Sequence, residues 1–272
     1  MQIIGYHLRK TKEPYFEITS AGYWTQKAME TEVYEQMAAI ENEHWWFIAR
    51  RKILTTILTR LPLPPNARIL EAGCGTGGNL VMLARFGQVA AFEPDARARE
   101  YTSEKGNHNV LYGSLPWDIP FPENTFDLVV ALDVLEHLED DETALKALRQ
   151  HLKTDGWGLF TVPAFPFLWS RHDDRHHHKR RYNKIELVKK ITRAGFTIHF
   201  ASYFNTILFP LIAGIRLIRN RLGIEGPTDD TMPISVLNQI LKLIFSSEQY
   251  LIKKTSLPVG VSLLMVVSNK NL

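Results

Sequence analysis

The spacing of apolar and polar positions along the chain changes several times, and each change marks an element. Apolar residues recur at helical spacing over residues 25–40 and again over 43–60, which predicts two helices. The run Leu61-Pro-Leu-Pro-Pro-Asn66 stops that pattern, because proline lacks the amide hydrogen that a helix interior needs. The main boundary is expected there, between an N-terminal helical extension or lid, 1–65, and a larger domain, 66–272. Short apolar runs then alternate with amphipathic ones. Strands are expected at 68–71, 88–93, 110–112, 126–132, 157–162 and 196–203. Helices are expected at 78–86, after the second strand through 105, at 142–152 and at 185–194. That alternation predicts an α/β fold, a mostly parallel sheet with helices on both faces. Two apolar helices, 206–221 and 235–254, break it as an insertion at about 204–256, and a last strand is expected at 261–268.

Composition narrows the class. Of 272 residues, 45% are hydrophobic and 22% charged, which excludes a disordered chain. Lys and Arg number 32 against 29 Asp and Glu, and the resulting +3 is too weak to argue for nucleic acid. The single cysteine, Cys74, excludes an internal disulfide and a multi-thiolate zinc site. It suits a reducing compartment, and a cytoplasmic protein is expected. Residues 1–12 lack the uninterrupted apolar core of a signal peptide. The most apolar stretch, 203–215, falls short of the roughly 18 to 20 residues needed to span a bilayer. The late helices carry Arg216, Arg219, Arg221, Lys242, Lys253 and Lys254 among Ile, Leu and Phe. That pattern suits core packing or dimerisation, or peripheral contact with the inner face of a membrane.

The densest chemical signal is Ile69-Leu-Glu71-Ala-Gly73-Cys74-Gly75-Thr-Gly77-Gly78-Asn79, entered by a strand and left by a helix. Glycines there let the backbone turn tightly and approach a ligand, with helix N-terminal amides nearby. Gly73, Gly75 and Gly78 also satisfy G-x-G-x-x-G, and Glu93 lies about 20 residues on, as in dinucleotide-binding folds. The glycines alone therefore leave two cofactor classes open.

An acid, one residue, then Gly-x-Gly-x-Gly, here Glu71, Gly73, Gly75 and Gly77, resembles the first motif of the class I S-adenosylmethionine-dependent methyltransferases. The resemblance covers roughly residues 67–202 plus the last strand. It implies a Rossmann-like seven-stranded sheet, six strands parallel and the last antiparallel, with S-adenosyl-L-methionine as cofactor. The loop, Cys74 included, would wrap the methionine part. Glu93, followed by Pro94, would accept the two ribose hydroxyls. Ser114 stands where the family often has an acid for the adenine amino group, and the Leu115 amide would meet an adenine ring nitrogen. Asp133 and Val134 would close the pocket at the carboxyl end of the fourth strand, while Asp127 would orient loops at its other end. His137 would face either the cofactor pocket or helix packing. The Asn/Asp-Pro-Pro-aromatic motif of nucleic-acid amino-methyltransferases is replaced here by Leu132-Asp-Val-Leu-Glu136, so no nucleic-acid partner is expected.

Two further segments bear on the acceptor. In Glu41-Asn-Glu-His44-Trp45-Trp46-Phe47-Ile-Ala-Arg50-Arg51, His44, Phe47 and Arg51 share one helical face. That helix either packs its tryptophans on the core or forms a lid, with Trp46 and Arg51 on the substrate side. The second segment runs from Val162 to Tyr182 and holds His172, Asp173, His176, His177, His178, Arg180 and Arg181. His172 or His178 suits a general base near neutral pH. Asp173, Arg181 and Tyr182 would contact substrate, with Arg180 and Arg181 suited to an anionic group. No metal site is expected, because the adjacent His176, His177 and His178 cannot converge in an extended segment.

Together the two segments resemble the type-11, ubiquinone/menaquinone-methyltransferase-like subgroup, as do Leu237-Asn238, Glu248 and the run 257–264. Members of that subgroup are often associated with cell-envelope polysaccharide and lipid-linked glycan synthesis. The resemblance implies a small-molecule or lipid-linked acceptor and O-methylation. Two alternatives stay open. One is a nicotinamide-dependent oxidoreductase, which is disfavoured because no second catalytic domain appears. The other is a non-catalytic S-adenosylmethionine-binding regulator.

Overall fold

The computed structural model describes residues 16–18, 24–26, 31–106, 110–224 and 231–270. Its elements, in chain order, begin with strands β1 (Phe16–Ile18) and β2 (Trp24–Gln26) and helices α1 (Thr31–Ile40) and α2 (Trp45–Leu58). Then come β3 (Ala67–Ala72), α3 (Leu80–Leu83), β4 (Gly87–Phe92), α4 (Ala96–Glu104), β5 (Val110–Leu111) and β6 (Phe126–Leu132). They continue with α5 (Asp141–His151), β7 (Leu152–Pro163), α6 (Arg171–Arg175), α7 (Lys184–Arg193) and β8 (Thr197–Phe204). The last are α8 (Phe209–Leu222), α9 (Ser235–Ile252) and β9 (Ser262–Ser268).

Seven strands form one sheet in the order β5-β4-β3-β6-β7-β9-β8. All run parallel except β9, which is antiparallel to both β7 and β8. The expected six-plus-one arrangement is therefore present. Side chains alternate across the sheet, as a pleated strand requires. Leu70, Val129, Ala131 and Phe160 enter one core with Leu145 and Leu148 of α5 and Leu187 and Ile191 of α7. Ile69, Leu128, Val130 and Leu159 enter the other with Ile53 and Leu54 of α2 and Phe245 and Ile252 of α9. Strands covered on both faces read as continuous apolar runs, which is why they were visible in the sequence.

At the amino end of the sheet, Asp127 accepts the Arg68 amide at 2.8 Å and pairs with Lys153 at 2.7 Å, tying β6 to β3 and β7. At the other end, β6 runs into Asp133, whose φ is +59°, and the chain turns into a short 3-10 segment, Leu135–His137. Asn238 of α9 holds the start of α2 from both sides, accepting the Trp45 amide at 2.8 Å and donating to the Glu43 carbonyl at 2.9 Å.

Three boundaries differ from expectation. Residues 25–26, expected to begin a helix, belong to β2, which pairs with β1, Phe16 opposite Gln26. The helix expected at 78–86 is regular only over Leu80–Leu83, since the Arg85 and Phe86 amides close on the tighter i−3 bonds to the Met82 and Leu83 carbonyls. β7 begins at Leu152 instead of 157, with an irregular register against β6 near Phe126. No helix among the described residues is long and apolar enough to cross a membrane.

Candidate active site

The glycine loop lies at the carboxyl ends of β3 and β4, the edge where open α/β sheets bind ligands. Gly73, Gly75 and Gly77 have φ of +65°, +54° and +82°, a region that penalises any residue with a Cβ. Gly73 packs against Val134, whose Cγ2 lies 3.0 Å from where a Cβ would sit. Gly75 instead faces open space. Its amide donates to Glu93 Oε2 at 2.9 Å, and the Asp95 amide donates to Oε1 at 3.1 Å. Arg99 holds the Glu93 and Pro94 carbonyls at 2.6 and 2.9 Å. Burial raises the pKa of Glu93 to about 7 despite those two amides. Glu71 also rises to about 7, mainly by burial; Asn79 donates to its Oε1 at 2.9 Å, and Oε2 has no hydrogen-bond partner among the described residues. Cys74 is buried, and burial pushes its thiol up, which removes it as a nucleophile.

Helices α1 and α2 press on this loop. Glu41, just past α1 and 2% exposed, accepts the Thr76 hydroxyl at 2.5 Å and pairs with Lys105. Tyr34 is buried, and burial followed by the charges of Glu93 and Asp95 pushes its phenol up. From α2, Arg50 reaches Asp133 Oδ2 at 2.6 Å and also donates to Thr161 Oγ1 at 3.2 Å and Asn79 Oδ1 at 3.4 Å. Thr161 in turn donates to Asp133 Oδ1 at 3.1 Å. Arg50 thus joins α2 to the ends of β6 and β7 and to the glycine loop. Its guanidinium also lies 5.0 Å from the centre of the Trp46 ring.

The histidine segment folds back onto the same edge. Asp173 is fully buried and accepts from Arg181 Nε at 2.7 Å and His178 Nδ1 at 2.8 Å. Burial alone would raise its pKa, but those two partners hold it below the usual carboxylate range. Arg181 is anchored in addition by the Ala164 carbonyl at 3.1 Å. His178 packs edge-on against His137, ring centres 4.7 Å apart, and burial lowers the pKa of both imidazoles. The His172 ring lies tilted by 33° against that of His176, centres 4.1 Å apart, and 5.9 Å from that of His178.

A family profile described as a methyltransferase domain matches residues 40–200 of the chain. The chain belongs to this methyltransferase-domain family. An uncharacterized methyltransferase of Schizosaccharomyces pombe is 35% identical over 105 residues, 33% of this chain and 37% of that protein. An uncharacterized methyltransferase of Staphylococcus carnosus is 34% identical over 103 residues, 37% of this chain and 49% of that protein. The chain thus spans half or less of these two relatives. A solved SAM-dependent methyltransferase from Thermotoga maritima has the same fold, with a TM-score of 0.55 at 19% identity over 87% of this chain and 99% of that one.

Within this methyltransferase fold the residues present fit S-adenosylmethionine. The unpartnered Glu71 Oε2 suits an amine donor, and the side of Gly75 that lacks a Cβ leaves room for a ligand. Glu93 stands at the carboxyl end of β4, as a ribose-binding acid requires. Ser114 exchanges backbone bonds with Asp118 at 2.7 and 2.8 Å, and its hydroxyl leans to the Leu115 carbonyl at 3.4 Å. Leu115 is buried against Phe92 in the core.

Two substrate residues are corrected. Tyr182 is fully buried, its hydroxyl held by Asp141 at 2.7 Å and the Leu135 carbonyl at 3.1 Å, so it braces α5 instead of meeting a ligand. Arg51 gives its guanidinium to the Glu41 carbonyl at 2.7 Å and lines a groove of about 440 Å³ with Lys52, Val81 and Arg85. Arg50 is the arginine that enters the site. Asp173 and Arg181, also expected to touch substrate, serve first to fix His178. Arg50, Glu41, Tyr34 and Thr161 had no assigned role in the sequence. Glu136 was visible only as the end of the run Leu132-Asp-Val-Leu-Glu136.

Proposed function

We propose that the chain transfers a methyl group from S-adenosylmethionine to a hydroxyl of a small-molecule or lipid-linked acceptor, as a member of the type-11 subgroup acting in cell-envelope glycan or lipid metabolism. The observation that carries this reading is the Asp173–His178 hydrogen bond at 2.8 Å, in a segment whose Lys179 amide bonds the Glu136 carbonyl just past the end of β6. When bound, the cofactor supplies an electrophilic methyl on a sulfonium, so that transfer is an in-line displacement forming C–O and breaking S–C. Glu93 binds the ribose hydroxyls, with Pro94 beside it. Gly73, Cys74, Gly75, Gly77 and Glu71 cradle the methionine end, and Val134 bounds the pocket. Ser114 and the Leu115 amide meet the adenine.

His178 donates its Nδ1 hydrogen to Asp173, which leaves Nε2 to accept the acceptor's proton. Its lowered pKa keeps the ring neutral, and so able to accept a proton, near pH 7. His172 is the second candidate base, and His137 and Trp46 border the acceptor side. Residues 1–65 act as the lid.

Peripheral membrane contact belongs to the same reading. Leu211, Ile218, Leu222, Val236 and Leu243 of α8 and α9 are exposed, near Arg219 and Arg221. Liposome co-sedimentation at low salt tests it; no binding to anionic vesicles refutes it.

The function is tested by transfer of labelled methyl from S-adenosylmethionine to a panel of hydroxylated acceptors, polyprenyl-linked sugars among them. At least one acceptor is expected to be methylated, with turnover reduced about 100-fold or more in His178→Ala while cofactor affinity is kept. Unchanged turnover in His178→Ala removes it as the base. Oxidation with a nicotinamide cofactor, or cofactor binding with no acceptor at all, favours the two alternatives.

A further inference from the structure

Glu136 presents a problem that the proposed methyl transfer does not solve. Its side chain is fully buried, and neither carboxylate oxygen has a hydrogen-bond partner elsewhere among the described residues.

Two imidazoles stand beside it. Glu136, His137 and His178 each offer a donor atom, and the three atoms lie within 4.8 Å of one another. The histidines are oriented as ligands commonly are. His178 gives its Nδ1 hydrogen to Asp173, itself fixed by Arg181, which places the ring's lone pair on Nε2. A ring nitrogen of His137 bonds the backbone carbonyl of His176, which places its lone pair on the other nitrogen. Carboxylate or carbonyl partners of this kind orient metal-bound histidines and raise their basicity. The three side chains come from two distant segments, the turn after β6 and the loop after α6, so their convergence is a product of the fold. The adjacency of His176, His177 and His178 argued against a metal only while the segment was taken as extended. The chain instead turns at His177, whose φ is +52°, and only His178 of the three joins Glu136 and His137.

We propose that Glu136, His137 and His178 bind one divalent transition metal ion, with Asp173 as the positioning residue for His178. Two nitrogens and one carboxylate suit Zn²⁺, Fe²⁺, Co²⁺ or Mn²⁺ over Ca²⁺ or Mg²⁺. Three protein ligands leave coordination positions open on the acceptor side of the sheet. The metal-binding claim stands on these residues alone. Its use rests on the function proposed above: a hydroxyl oxygen of the acceptor occupies an open position and loses its proton to solvent more readily there. Metal ligation and proton acceptance compete for the same His178 lone pair, so the metal-bound chain does not use His178 as a base.

The test uses the full chain after dialysis against a chelator. Co²⁺ is titrated in and followed by visible absorption, with metal content measured by mass spectrometry. One Co²⁺ per chain is expected, displaced by Zn²⁺. Glu136→Gln and His178→Ala should each lose at least about 10-fold in Co²⁺ affinity, and Asp173→Asn about 10- to 100-fold. His177→Ala should bind as the parent does. S-adenosylmethionine affinity and circular dichroism check the fold of each variant. If a variant is unfolded, the ligand-field spectrum of the parent decides, since bands at one equivalent support the site and their absence overturns it. Substoichiometric metal, or equal binding by the parent, Glu136→Gln and His178→Ala, also overturns it. Absent metal with turnover still dependent on His178 sinks the metal site and leaves the proposed function standing. Stoichiometric metal with no hydroxyl acceptor methylated does the reverse.

Discussion

Replacing Arg50 by Met keeps most of the side chain's stem and removes the group that ties α2 to the ligand edge of the sheet. Three polar contacts go at once: Asp133 at 2.6 Å, Thr161 at 3.2 Å and Asn79 at 3.4 Å. Removing one partner of a fully buried ion pair costs about 3–5 kcal/mol. The Arg50 side chain is 5% exposed but that of Asp133 is 23% exposed, so water recovers part of the loss. Thr161 also continues to donate to Asp133 Oδ1. The expected cost is about 2–3 kcal/mol. At about 2–4 °C per kcal/mol in a chain of this size, Tm falls by about 4–12 °C. Urea unfolding measures the free energy and differential scanning calorimetry the midpoint. A double-mutant cycle with Asp133→Asn isolates the pair and should give a coupling of about 1–2 kcal/mol. Cofactor affinity should fall as well, because Asn79 and Asp133 both lose their brace. A loss below about 0.5 kcal/mol with zero coupling refutes the claim that this pair fastens the lid to the sheet.

Three further outcomes follow from the geometry. Gly77→Ala places a Cβ 2.7 Å from Thr102 Cγ2 at a φ of +82°, so it should destabilise the chain by about 1–3 kcal/mol and weaken cofactor binding, read by urea unfolding and calorimetry. Glu71, raised from 4.5 to about 7, binds a proton in the folded state that the unfolded chain has released. Its contribution to stability is complete below pH 4.5 and is lost as pH rises through about 7, up to on the order of 3 kcal/mol. Glu71→Gln should flatten the pH dependence of urea unfolding in that window. Asp173 acts outside it, since its stabilisation is lost only as pH falls below 3.8. Tyr182→Phe should cost about 1–2 kcal/mol through the lost Asp141 bond and leave acceptor KM unchanged. A raised KM at unchanged stability restores Tyr182 as a substrate residue.

The sheet could be read from the sequence because its strands are covered on both faces and stand out as apolar runs between amphipathic helices. The glycine loop was equally clear, since three positive-φ glycines leave little other use for the segment. Local pattern failed where long-range contacts decide. The helical face containing His44, Phe47 and Arg51 passed over Arg50, because periodicity shows which residues share a face but not which face meets the sheet. Arg50 has its charge satisfied by Asp133, more than eighty residues on. Tyr182 and Arg181 looked like ligand contacts because they are polar and beside histidines, yet both are consumed by buried aspartates. Glu136 looked like one more acid at the end of a strand. Only the fold shows it stripped of partners between two imidazoles. Residues 1–15, part of the expected lid, and 225–230, in the expected insertion, lie outside the described residues.

The central claim is that the glycine loop and Glu93 bind S-adenosylmethionine. Isothermal titration calorimetry of the purified chain with S-adenosylmethionine, and in parallel with NAD, tests it most directly. The account predicts saturable binding of one S-adenosylmethionine per chain, no heat with NAD, and at least about 10-fold weaker binding in Glu93→Ala, the loss of charge-assisted hydrogen bonds to the ribose. Heat with NAD and none with S-adenosylmethionine, or a Glu93→Ala variant that binds as tightly as the parent, would contradict it.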